Sequence, residues 1–89
     1  MALFHLEITA PDGNLYEGDA YMLSVRGMEG ELSILAGHIP FVTALASGKC
    51  RVYTAQGQPP RQGHAGGGVL SVTKEGVRLL AADFTWEDA

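Results

Sequence analysis

Polar and hydrophobic positions alternate in short bursts along most of the chain. Phe4, Leu6 and Ile8 fall on one side of an extended segment and His5, Glu7 and Thr9 on the other, the period of two that a strand with one wet face produces. Tyr21, Leu23 and Val25 repeat the pattern up to Gly27, and Leu32 and Ile34 repeat it against Glu31 and Ser33. Phe41–Leu45 is more continuously apolar and reads as a strand buried on both faces. Cys50 and Val52 then alternate with Lys49, Arg51 and Tyr53. Val69–Val72 and Val77–Ala81 are two further strands, joined as a hairpin by Lys74-Glu75-Gly76. Between them and Tyr53, Gln62–Ala65 has little strand propensity and reads as an edge strand. No window of about 11 or more residues carries a helical stripe, so no helix longer than about two turns is expected.

The punctuation between these bursts is rich in glycine and proline. Ala10-Pro11-Asp12-Gly13 has proline second and glycine fourth, the preference of a type I turn. Gly27-Met28-Glu29-Gly30 has the glycine spacing of a hairpin loop. Gly37–Pro40 should break the ladder, because Pro40 lacks an N–H and holds Ile39 extended. Ala46-Ser47-Gly48 reads as a turn, Gln56–Pro60 as a loop and Asp83–Ala89 as irregular. Short strands so spaced indicate an all-β sandwich or barrel.

Composition narrows the function classes. Eighty-nine residues make one domain, and 46% hydrophobic with 18% charged residues suits a packed globule rather than a disordered chain. The formal charge of −4 argues against binding nucleic acid or an anionic membrane. There is no apolar run near the ~18 residues of a spanning helix and no basic-then-apolar signal segment at the start. A soluble, cytosolic chain is expected, reaching a membrane only through another protein and not by direct insertion.

Candidate chemistry is sparse. Cys50 has no second cysteine to pair with, and strand alternation sends it inward with Val52, away from Lys49 and Arg51. His5, His38 and His64 invite a small metal-binding or catalytic β-barrel, but they lie on three separate segments without a His-x-His pair to converge on one ion. Gly66-Gly67-Gly68 leads into the strand Val69–Val72 and not into a helix, so it serves close backbone approach or a bulge and not a phosphate. Ser24, Ser33, Ser47 and Ser71 lie in strand or turn contexts without a nucleophile-elbow pattern. Neither catalysis nor a cofactor or metal is expected. What remains is the polar display around the strand 31–34: Glu29, Glu31 and His38, held between two rigid turns, a design suited to presenting a surface to a partner.

That stretch, Glu29 to Pro40, reading Glu-Gly-Glu-Leu-Ser-Ile-Leu-Ala-Gly-His-Ile-Pro, closely resembles the epsilon subunit of F-type ATP synthases, called delta in mitochondria. Further pieces follow in the family's order: Phe4–Gly13, Leu15–Gly18, Gly48 opening a strand, Gly66–Val72 and Val77–Asp83. Two departures are Ala36, where the family usually has proline, and Gln62–Ala65, where it has an apolar strand. The resemblance implies a two-sheet β-sandwich of about ten short strands over residues 1–83, with 84–89 an irregular tail in place of the family's two-helix hairpin. It implies a non-catalytic central-stalk subunit that links the gamma subunit to the membrane ring so that ion-driven rotation is coupled to ATP synthesis, peripheral on the cytoplasmic face of the inner membrane. Glu31 and His38 match the family's positions facing the ring's polar loops, with Glu29 beside them. Because the family's hairpin restrains ATP hydrolysis and in some members binds ATP, neither property is expected of this sandwich.

Overall fold

The computed structural model of the chain describes residues 2–37 and 39–87. Among them are eight strands: β1 (Phe4–Ala10), β2 (Gly13–Ala20), β3 (Met22–Gly27), β4 (Gly30–Leu35), β5 (Phe41–Tyr53), β6 (Arg61–Thr73), β7 (Gly76–Ala81) and β8 (Phe84–Trp86). The strand count is therefore eight among the described residues rather than about ten. No helix among them is long and apolar enough to cross a membrane.

Strand order is β2-β1-β7-β6-β5-β3-β4, with β8 on β6. Among the described residues only β1 and β7 pair in parallel; the other ladders are antiparallel. The two long strands turn this path into a sandwich. β5 and β6 pair along almost their whole length, from Phe41↔Val72 to Val52↔Arg61. One half of β6 (Gly68–Thr73) carries β7, and behind it β1 and β2; the other half (Gly63–Ala65) carries β8. β3 and β4 extend from the far end of β5 through Met22↔Tyr53 and Leu23↔Val52. Inward residues from both halves meet in a single core: Leu6, Ile8, Leu70 and Leu79 from one, Leu23, Val25, Ile34 and Val52 from the other, all at most 2% exposed. The alternation seen in the sequence is the alternation of this core.

The tight turns are where glycine and proline place them. Pro11-Asp12, Met28-Glu29 and Lys74-Glu75 each form a two-residue loop between paired strands, and β4 and β5 are separated around Gly37 and Pro40. Gly13–Ala20, which alternation left unassigned, is strand β2; only Ala20 in it is buried, because β2 is an outer strand that pairs β1 alone. Three readings are corrected. Ala46-Ser47-Gly48 is not a turn but the middle of β5, held extended by its pairing to β6. Gln62–Ala65 is not an edge: it lies between β5 and β8. Phe84–Trp86, read as part of an irregular tail, is the strand β8.

Gly66-Gly67-Gly68 lies where β6 passes from β8 to β7. Gly67 and Gly68 have φ of +96° and +147°, a region that side-chain-bearing residues rarely occupy. A Cβ on Gly68 would strike the carbonyl oxygen of Leu80 and stand 2.9 Å from Ala81 Cα. The run serves close backbone approach, as the sequence suggested.

Cys50 is inward and fully buried, and burial pushes its thiol up to about 12. Two results are expected. A thiol reagent should label the native protein only as fast as it opens. Because the folded thiol titrates above its unfolded value, its contribution to stability is complete below pH 9 and lost as pH rises toward 12; Cys50→Ala should flatten the fall in denaturation midpoint across that window.

Candidate interaction surface

The β3–β4 hairpin is built for display. Gly27 pairs Gly30 across the two-residue tip, and a Cβ on Gly27 would stand 3.0 Å from Gly30 O and 3.1 Å from Leu32 Cγ. Leu32 and Ile34 turn toward the core, which sends Glu31 and Ser33 outward. Met28 and Glu29 at the tip are exposed, Met28 by 69%. Glu29, Glu31, Met28, Leu32 and Thr43 line a shallow depression of about 300 Å³.

Glu31 is not a bare charge. Its Oε2 accepts a hydrogen bond from Arg51 Nη1 at 3.1 Å. Glu29 and Glu31 thus share one hairpin, while His38 lies outside the described residues. Beyond that position Ile39 is 79% exposed, and with Pro40 and Phe41 it lines an open apolar notch.

A second surface lies on the outer face of β5, β6, β7 and β1. Ala44, Val69, Leu80 and Thr9 stand in one cross-strand row, with Val42 on the neighbouring row beside Ser71. Val42 is 70% exposed, Leu80 47% and Val69 40%. Phe41–Leu45 is therefore not buried on both faces; its outward half forms an apolar band in water. Such contiguous exposure is typical of a face that a partner covers. The sequence carries this signal as a mostly apolar run, which alone does not distinguish a core strand from one with an apolar outer face. Beside the band, Arg78 Nε donates to Glu7 Oε1 at 3.0 Å.

His5 and His64 lie on different ladders. His5 Nε2 stands 3.5 Å from Glu17 Oε2 on β2, whereas His64 lies on β6 opposite Lys49 and Thr85. Among the described residues no three His, Cys, Asp or Glu side chains gather to hold a metal ion.

Comparison with known proteins gives the following. Residues 3–87 match the family described as ATP synthase, Delta/Epsilon chain, beta-sandwich domain. The chain is 40% identical over 81 residues to the ATP synthase epsilon chain of Halalkalibacterium halodurans, covering 91% of this chain and 59% of that one. It is 36% identical over 81 residues to the ATP synthase epsilon chain of Caulobacter vibrioides, covering 91% and 92%. Among solved structures it resembles a chain of the Euglena gracilis mitochondrial ATP synthase (OSCP/F1/c-ring, rotational state 1), with a TM-score of 0.87, 27% identity, and 97% of this chain and 54% of that one covered. The chain spans about three fifths of the length of several curated relatives it matches, the Halalkalibacterium halodurans chain among them.

Proposed function

Because the chain belongs to the ATP synthase delta/epsilon β-sandwich family, we propose that it works in the central stalk of a rotary F-type ATP synthase. Its task there is mechanical: it joins the gamma subunit to the membrane ring, so that ion-driven rotation reaches the catalytic subunits. It performs no chemistry of its own and stands on the cytoplasmic face of the membrane, held by its partners.

The observation that carries this reading is the family match over residues 3–87. The two surfaces supply what such a coupling piece needs. Glu29, Glu31 and His38 form the ring-facing contact, where charged groups fix register and partner choice more than raw affinity. The Val42–Val69–Leu80 band offers a broad apolar surface of the kind a permanent subunit contact covers. Capture from native membranes with the tagged chain tests the proposal. Gamma and ring subunits should be recovered together in fixed proportion; recovery of neither would sink it.

A further inference from the structure

Glu31 and Arg51 are 20 residues apart in sequence, and β3 lies between the strands that carry them. Alternation puts Glu31, Ser24 and Arg51 on the same outward face, since Leu32, Val25 and Val52 are core. In register, Arg51 stands opposite Ser24, and Ser24 stands opposite Ser33, two residues along β4 from Glu31. The Arg51 side chain must therefore cross β3 diagonally to reach the carboxylate at 3.1 Å, a span that only a long side chain covers. Ser24 lies under that crossing and is only 5% exposed although it faces outward.

Arg26 is the cation directly opposite Glu31, but it lies the other way. A Cβ on Gly48 would stand 2.8 Å from Arg26 Cβ and 2.9 Å from Arg26 Cδ, so the Arg26 stem rests across that glycine. Lys49 is turned to Glu87, 3.4 Å away. Among the described residues, Glu31 is left to Arg51.

The geometry points to Arg51 as a positioning residue for the partner contact: it holds the Glu31 carboxylate in one place on the sheet, so that the partner meets a fixed Glu31–Arg51 pair rather than a mobile acid. This rests on the stalk reading above. A free glutamate side chain gives up rotamer freedom when a partner binds it; a carboxylate already held gives up less, which favours binding.

The test uses the full chain, labelled and titrated into its own synthase depleted of it, with Arg51→Ala, Arg51→Lys, Glu31→Gln and the double variant Glu31→Gln/Arg51→Ala. Each of Arg51→Ala and Glu31→Gln should weaken binding roughly fivefold, or about 1 kcal/mol. The double variant should be no weaker than either single, because the two side chains act as one unit. Arg51→Lys should recover part of the loss, since lysine keeps the charge without the planar fork. Thermal midpoints should stay close to the parent's, as expected for a pair this exposed, so a merely structural role would not produce the non-additive binding losses.

Losses that add, or a loss with Glu31→Gln but none with Arg51→Ala, would overturn the positioning role. If the parent chain binds and neither variant weakens it, the pair lies outside the contact and the stalk reading stands without it. If the parent chain fails to bind, the stalk reading itself falls, and this inference with it.

Discussion

Replacing Gly68 with alanine is expected to remove a large part of this domain's stability. Two costs coincide there. The backbone has φ of +147°, where a side-chain-bearing residue carries roughly 1–3 kcal/mol of strain. The added Cβ would also meet main-chain atoms of β7, the Leu80 carbonyl oxygen and Ala81 Cα, and a paired strand cannot rotate aside as a side chain can. Forcing it away is overpacking, which costs roughly 1–3 kcal/mol more. A domain of 89 residues holds only roughly 4–13 kcal/mol in all, and at this size each kcal/mol moves the thermal midpoint by about 4–8 °C. A fall of at least about 8 °C is expected. Two controls separate the causes. Gly57, at φ +82° with nothing within 4 Å of its would-be Cβ, should show the backbone cost alone. Gly66→Ala would press on the Asp83 carboxylate, a side chain at the surface that can swing away, and should cost less than Gly68→Ala. Equal melting of Gly68→Ala and Gly57→Ala would mean that β6 and β7 do not approach as closely as described.

The same glycines mark the limit of what the sequence made legible. Alternation identified β1, β3, β4 and β7 because each has one face in the core and one in water, the case in which the period of two is cleanest. The two-residue loops at Pro11-Asp12 and Met28-Glu29 were legible because turn chemistry is local. The long strands were not. Ala46-Ser47-Gly48 and Gln62–Ala65 have the composition of turns and weak edges, yet each is held in a ladder by residues far away in sequence. Their small size has a packing reason. Gly48 leaves room for the Arg26 stem, and a Cβ on Gly63 would stand 2.8 Å from the Phe84 ring. A residue kept small by a distant neighbour looks, in one dimension, like a residue kept small by a turn. The candidate site divides in the same way. Glu29 and Glu31 were evident as outward acids near a glycine-bounded hairpin. Arg51 was visible only as an outward cation, since its tie to Glu31 depends on three strands coming into register.

Removal of the Trp86 side chain should release β8 before it unfolds the rest. β8 is three residues long and pairs with β6 alone, too little backbone pairing to persist by itself. The indole supplies the remainder. It stacks edge-on against Phe84 at 4.8 Å and Tyr16 at 6.5 Å, lies 3.9 Å beneath the Arg61 guanidinium and donates its N–H to the Leu15 carbonyl at 3.2 Å. Leu15 and Tyr16 belong to β2, at one end of the strand path, whereas β8 hangs on the other half of β6, off that path, so one side chain ties the two halves of the sandwich together. Trp86→Ala should cost about 3 kcal/mol, the lower end for a large aromatic because the ring is only half-buried. Trp86→Phe keeps an aromatic ring but leaves the Leu15 carbonyl without its indole donor, for about 1 kcal/mol. Hydrogen exchange distinguishes local release from general weakening. The amides of Glu87 and Gly66, which donate to Gln62 O at 2.9 Å and Asp83 O at 3.0 Å, should lose protection in Trp86→Ala far more than those of β3 or β7. Uniform loss across all strands would mean that β8 unfolds only with the whole domain, and that the indole acts as ordinary core rather than as a clasp.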